Sequence, residues 1–292
     1  MITIIIPTYN RASLIGKTLN SVLSQTYSDW ECLVVDDFST DNTKEIVDSY
    51  CKKDIRFHYL INEGKKGAQG ARNTGIKHAQ SEWISFFDSD NYMYNNLLDR
   101  MNHAIEEDLM RSDVYTCFAI VIDQTTLKPV NKFEWITEGN IHKKLLRRET
   151  YVDYNGAIIR KQKILDIGCL DENCPSMQEW DTHIRLSKIA RYHTVPEILV
   201  EYFVGGEDAI SSDSKREIVG RLYILKKHQR EWRKNKESHI NYVKDIHRLI
   251  LNHPSRTFRA KATFKLLTSA PSVQWISFKR RIKSVVNSKH NE

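Results

Sequence analysis

The chain has 292 residues, with 44 Lys+Arg against 37 Asp+Glu and a formal charge of +7. Hydrophobic residues make up 40% and charged residues 28%, with 11 Gly and 6 Pro, which excludes a collagenous, coiled-coil or wholly disordered chain. The length permits one large α/β domain or two small ones.

Residues 1–7 are a β-branched run, apolar on both faces, the pattern of a buried parallel strand. Leu14, Thr18, Leu19, Val22 and Leu23 then recur at helical spacing. A second strand is expected over 30–35, followed by a helix capped by Thr40, Asp41 or Asn42 and reaching Tyr50. A third strand over 55–60 leads into a glycine-rich loop over 62–70, a helix over 71–78 and a fourth strand over 83–87. Strands and helices alternating at this spacing are βαβ units, so a Rossmann-like, mostly parallel sheet is expected for the first hundred residues. Further strands are expected over 115–122 and 151–159, and a helix over 179–190. From Ser214 the chain is charged and helical in period, broken at Pro254 and Pro271.

No apolar run approaches the roughly 20 residues of a spanning helix. The N-terminus enters a strand without a basic leader, so no secretory signal is expected. Five cysteines with no Cys-x-x-Cys pair suit reduced thiols in a cytosol better than a disulfide frame or a zinc site. The charge is unevenly spread. Residues 1–213 hold 24 Lys+Arg and 32 Asp+Glu, whereas 214–292 hold 20 and 5, so an acidic working domain precedes a basic helical extension.

In an open α/β sheet ligands bind beyond the carboxyl ends of the strands. Here those ends carry Pro7-Thr8-Tyr9-Asn10-Arg11, Asp36-Asp37, Gly70-Ala71-Arg72-Asn73 and Asp88-Ser89-Asp90. If the chain stays extended after the fourth strand, Asp88 and Asp90 point to one side and offer hard oxygens to Mg²⁺ or Mn²⁺. A helix cap accounts for one of these aspartates but not for both. The glycine-rich loop lacks the Gly-Lys-Ser/Thr of a P-loop, and no glycine triplet follows the first strand. Nicotinamide dehydrogenases and P-loop NTPases are therefore disfavoured. Arg72, on the first turn of its expected helix, is placed to meet a diphosphate.

These motifs, with Val34-Val35-Asp36-Asp37-Phe38-Ser39-Thr40-Asp41, Gly70 to Ile76, Gln178-Glu179-Trp180-Asp181 and Ile184-Arg185-Leu186, resemble the family 2 glycosyltransferases from residue 1 to about 212. The resemblance implies a GT-A fold, a nucleotide-diphosphate sugar donor, a divalent cation and inversion at the anomeric carbon. It divides the chain into a GT-A domain over 1–213 and the extension over 214–292. Within the domain, 1–100 is the nucleotide-sugar half and 101–213 the acceptor half. It also implies that Pro7, Thr8, Tyr9, Arg11, Asp37, Arg72, Asp88 and Ser89 line the nucleotide, with Asp37 accepting from the imide of a uracil or thymine. Asp90, with Asp88, would hold the metal. Glu179 falls at the position of the catalytic base, commonly an Asp, which leaves Asp181 as the alternative. Asn155 and Trp180 are candidates for the acceptor wall, and Glu207 or Asp208 for a third metal ligand in place of a family histidine. A saccharide or polyprenyl-linked acceptor of a bacterial surface polysaccharide such as capsule or lipopolysaccharide completes the expectation. A nucleotidyltransferase of similar fold is the nearer alternative, but it calls for a Gly-rich basic loop after the first strand. A non-catalytic module binding nucleotide sugar or nucleic acid through the tail is the more distant one.

In the tail, Trp275, Phe278, Ile282, Val285 and Val286 share a helical arc flanked by Lys279, Arg280, Arg281 and Lys283. This is the pattern of a basic helix lying on an anionic membrane surface. A cytoplasmic protein, peripheral on the inner face of the membrane, is expected, with no nucleic-acid partner.

Overall fold

In the computed structural model, which describes residues 1–205 and 214–270, the N-terminal run is a fully buried strand, β1 (Ile2–Thr8). It pairs in parallel with β2 (Trp30–Asp36) and β4 (Trp83–Phe86), and β2 pairs in parallel with β3 (Phe57–Ile61). The alternation of β1 decides where the helices go. Ile2, Ile4 and Ile6 join one core cluster with side chains of α1 (Ile15–Leu23), α2 (Thr43–Lys53) and α4 (Leu97–Glu107). Ile5 faces the other side and meets α3 (Ala68–His78), where a Cβ on Gly75 would lie 2.3 Å from Ile5 Cγ2. Only glycine lets this helix lie so close to the strand. Both faces of the sheet are thus covered, as βαβ units require.

Beyond β4 the sheet is mixed. β8 (Ala157–Arg160) runs antiparallel to β4 and to β6 (Val114–Asp123), and β6 runs parallel to β9 (Tyr192–Val204). Two short strands, β7 (Pro129–Phe133) on β6 and β5 (Tyr92–Met93) on β9, complete a nine-stranded sheet of order β3-β2-β1-β4-β8-β6-β9-β5. The strand expected over 151–159 is confined to β8, because residues 151–156 form a loop whose polar side chains turn into the site described below. The 13-residue β9 has no counterpart among the expected elements. Pro196 interrupts its pattern, and its register with β6 jumps there from Cys117↔Val195 to Phe118↔Ile198.

The remaining helices of this half are α5 (His142–Arg147), α6 (Lys161–Asp166) and α7 (Gln178–Leu186). The chain divides into two compact units, Met1–Asn173 with Gln178–Ala209, and Cys174–Met177 with Ile210–Glu292. In the second, α8 (Ser214–Lys227), α9 (Gln229–Lys234), α10 (Lys236–Asn252) and α11 (Arg256–Ser269) surround Trp232, which stacks on Tyr242 at 4.8 Å. Pro254 separates α10 from α11, as its missing N–H dictates. The amphipathic stretch from Trp275 to Val286, and Glu207 and Asp208, lie outside the described residues. Among the described residues no helix is long and apolar enough to cross a membrane.

Candidate functional site

The carboxyl ends of β1 and β2 are stitched together by backbone. The Asp37 N–H donates to the Thr8 carbonyl at 2.8 Å, which fixes both side chains at the sheet edge. Pro7 and Thr8 are buried, and Thr8 Oγ1 finds no partner among the described residues. Tyr9 is 44% exposed with the Lys66 ammonium 4.9 Å from its ring centre, so one aromatic face is carried on a loop into solvent. Asp37 accepts from Asn62 Nδ2 at 2.6 Å and from the Gly67 N–H at 2.8 Å. These two bonds orient the carboxylate and leave lone pairs free for a ligand. Its neighbour Asp36 is structural, accepting from Ser39 and from the Tyr59 hydroxyl.

Helix α3 starts at Ala68, so Arg72 stands in its second turn and not at the N-terminus. The expected pairing of Arg72 with the helix end around a diphosphate is therefore corrected. Its guanidinium is buried, 2.6 Å from Asp88 Oδ1, 2.9 Å from Gln69 Oε1 and 4.7 Å from the centre of the Tyr154 ring, while its Nε has no partner among the described residues. Asp88 is gripped from the other side by Asn155, which accepts from the Asp88 N–H at 2.7 Å and donates to Asp88 Oδ2 at 3.0 Å. Asn155 is only 3% exposed. It holds Asp88 and does not form an open acceptor wall, a second correction.

After Asp88 the chain turns, with the Asn91 N–H 3.3 Å from the Asp88 carbonyl. The extended geometry expected for Asp88-Ser89-Asp90 is not adopted, and Ser89 is buried. Neither aspartate caps α4, whose N-cap is Asn96. The two carboxylates are nonetheless neighbours. Burial, with the Asp88 charge adding to it and Arg11 opposing, pushes Asp90 up to about 6. Arg11 Nε lies 4.0 Å from Asp90 Oδ2.

Glu179 opens α7 and faces this cluster. Burial, reinforced by Asp153 and Asp88 and opposed by Arg72, pushes its carboxyl up to about 7. No hydrogen bond or ion pair from another described residue reaches the Glu179 carboxylate. Asp181 is different. It is 1% exposed and paired with Arg185 at 3.0 Å, and Arg185 in turn donates to the carbonyls of Ile167 and Cys169. Asp181 thereby fastens α7 to the loop before it, so of the two acidic candidates only Glu179 faces the cluster. Trp180 is 4% exposed and packs in the interior, which corrects its candidacy as a stacking surface for a sugar.

Asp153, which no sequence motif marks, also belongs to this cluster. It accepts from the Asn155 backbone and side chain at 2.8 and 2.7 Å, and burial with the nearby Asp88 pushes it up to about 6. Tyr151 and Tyr202 stand in the same electrostatic field of Glu179 and Asp153. The available signal was the Asn155-Gly156 turn pair two residues after Asp153, which argues against a strand through that point.

A divalent cation fits the Asp88–Asp90 end of this cluster. Asp90 supplies a half-buried carboxylate strained by its neighbour's charge, and both residues offer the hard oxygens that Mg²⁺ and Mn²⁺ prefer. No group of three or more His, Cys, Asp or Glu among the described residues is placed to hold a metal ion. Two carboxylates with substrate phosphates are a sufficient set for such ions.

Residues 3–168 match the family model described as glycosyl transferase family 2. Among curated proteins, the chain is 46% identical over 99 residues to the Escherichia coli UDP-Glc:α-D-GlcNAc-diphosphoundecaprenol β-1,3-glucosyltransferase WfgD. That match covers 34% of this chain and 38% of that one. It is 34% identical over 135 residues to the putative teichuronic acid biosynthesis glycosyltransferase TuaG of Bacillus subtilis, covering 46% and 52%. The matched segments thus span about a third to a half of these relatives' length. Among solved structures, S. aureus TarS 1-349 in complex with UDP-GlcNAc superposes with a TM-score of 0.64 at 19% identity, covering 96% of this chain and 91% of that one. The Pyrobaculum calidifontis mannosyltransferase PcManGT in complex with GDP-Man and Mn²⁺ does so with a TM-score of 0.61 at 15% identity, covering 94% and 87%. At these identities the structural likeness establishes the GT-A-type fold.

Proposed function

Because the chain belongs to glycosyl transferase family 2, we propose that it moves a sugar from a UDP-linked donor to a hydroxyl of a lipid-linked saccharide during assembly of a bacterial surface polysaccharide. The donor and acceptor classes are supported by the name of the E. coli relative and, for the donor, by the UDP-GlcNAc complex of TarS, and the polymer class by the teichuronic acid named for the B. subtilis relative. The observation that carries the reading is Glu179: a carboxylate near neutral pKa, without a protein partner among the described residues, facing Arg72, Asp88 and Asp153.

Transfer requires removal of a proton from an acceptor hydroxyl that is far too weak an acid to attack unaided. Glu179 takes that proton as the new C–O bond forms, and its pKa of about 7 places it in the range where a general base contributes 10²–10⁴-fold. Thr8 and Tyr9 receive the nucleotide, with Tyr9 stacking on the base and Asp37 accepting from its imide. Arg72 and Asn155 hold Asp88 in one orientation from opposite sides. Asp90, with Asp88, would hold Mg²⁺ or Mn²⁺, which as a Lewis acid neutralises the charge of the departing diphosphate. The family likeness supports a single displacement with inversion, in which Glu179 acts as the base. Docking on an anionic membrane through the basic segment beyond residue 270 brings the protein to a lipid-linked acceptor.

The reading is tested by calorimetry of UDP and of a UDP-sugar panel with Mn²⁺, together with assays of UDP release. Binding that weakens at least tenfold in Asp90→Ala supports it. Absence of binding and of release with every donor refutes it.

A further inference from the structure

A mostly apolar recess that contains Asp153 opens between the β6–β7 hairpin and the 151–156 loop. Cys117, Phe133, Trp135, Tyr151, Asp153 and Gly156 are among the residues that line it. Its volume is about 20 Å³. A cavity needs roughly 10–15 Å³ on this measure to hold one water, so the recess takes a single hydroxyl-sized group and no whole sugar ring.

Four features bear on what that group belongs to. On the lining, Trp135, two residues past β7, is 44% exposed, so part of its indole meets solvent. Asp153, also on the lining, has one oxygen, Oδ1, taken by the Asn155 N–H and Nδ2, while Oδ2 has no partner among the described residues. Tyr151 and Glu179 both lie in the field of Asp153, so the recess adjoins the residue assigned as base. Phe133 braces the outer wall by an edge-on contact with Tyr202 at 5.7 Å. An apolar plate beside a carboxylate with one oxygen left without a partner among the described residues, with room between them for one hydroxyl, matches a molecule that carries an apolar C–H face and a rim of hydroxyls. A pyranose has that chemistry, and large apolar surface with a few placed polar groups is how small-molecule sites gain both affinity and orientation.

We propose that Trp135 and Asp153 form the acceptor subsite: the indole carries the C–H face of a pyranose, and Asp153 Oδ2 accepts from one non-reacting hydroxyl seated in the recess. This rests on the transferase reading above, in which the neighbouring hydroxyl is the one presented to Glu179. Asp153 is then a positioning residue that selects acceptors by the hydroxyl they place in the recess.

The test uses the full chain saturated with UDP and Mn²⁺, and a panel of methyl α- and β-pyranosides of gluco, galacto, manno, 2-acetamido-gluco and 2-acetamido-galacto configuration. Contact is read by saturation-transfer NMR. Wild type is expected to contact at least one pyranoside. Trp135→Ala should weaken that contact roughly tenfold while Trp135→Phe retains it, and Asp153→Asn should weaken it for the sugar that carries the seated hydroxyl but not for its deoxy analogue. Trp135 is exposed, so its substitution leaves folding intact, and an unchanged UDP affinity verifies this. Failure of wild type to bind UDP would strike the transferase reading itself. Intact UDP binding with no pyranoside contact, or contact unaffected by Trp135→Ala, overturns the subsite alone, and unaltered hydroxyl selection in Asp153→Asn overturns the role of that residue.

Discussion

Arg72 is the cation on which the carboxylate cluster balances, and replacing it by alanine has two separable consequences. Its side chain is 4% exposed and that of its partner Asp88 is 30% exposed, with 2.6 Å between them. Removing one partner of a buried pair typically costs 3–5 kcal/mol, and the partial exposure of Asp88 places this case at the lower end, about 3 kcal/mol. For a unit of this size each kcal/mol moves the melting temperature by about 2–4 °C, so a fall of about 6–12 °C is expected. The second consequence is electrostatic. Arg72 opposes the burial that raises Glu179, so its loss lifts the Glu179 carboxyl further above about 7. A base must be deprotonated to act, so the acidic limb of the pH–rate profile moves to higher pH. Arg72→Lys keeps the charge and should leave that limb near its original position, although the fork to Asp88 and Gln69 is lost. Differential scanning fluorimetry and UDP release measured from pH 5.5 to 9 give both quantities. An Arg72→Ala variant that melts within 2 °C of wild type, or whose acidic limb stays in place, refutes the account of the cluster.

Asp90, Asp153 and Glu179 all have carboxyls raised above their ordinary values, to about 6, 6 and 7. At these three groups the folded state binds more protons than the unfolded state between about pH 4 and 7, so their contribution to stability is largest at the acidic end and declines as pH rises through that window, whereas buried His183, held down at about 3, contributes with the opposite sign. Thermal melts of the metal-free protein across it should show a less negative slope with pH in Asp153→Asn than in wild type, and Mn²⁺ at pH 7.5 should raise the melting temperature in wild type but not in Asp90→Asn. Asp181→Asn should destabilise by about 3–5 kcal/mol in urea melts by releasing Arg185, yet retain transfer activity where it stays folded. Loss of activity in the folded variant would return Asp181 to candidacy as the base.

The parallel half of the sheet was legible because its physics is local. Residues 2–8 are apolar on both faces, and the polar residues after each strand mark the ligand edge. The acceptor half was less legible. Residues 151–156 are aromatic and β-branched enough to pass for a strand, but Asp153 and Asn155 bend the chain inward to hold Asp88, a contact 67 residues away in sequence. The roles of Asn155 and Trp180 could not be read from residue type, since both are buried by packing that only the tertiary structure shows. Glu179 and Asp181 look equivalent on the first turn of a helix. Arg185, one turn further on, separates them by pairing with Asp181. The extended run assumed for Asp88-Ser89-Asp90 failed for a similar reason, because Asn91 closes a turn on the Asp88 carbonyl.

The central claim, that Glu179 is the proton acceptor in sugar transfer, is tested most directly by comparing Glu179→Gln with wild type in UDP release from the UDP-sugar panel, with UDP affinity measured in parallel. The account predicts a loss of 10²–10⁴-fold in turnover with UDP affinity unchanged. Turnover within threefold of wild type would contradict it.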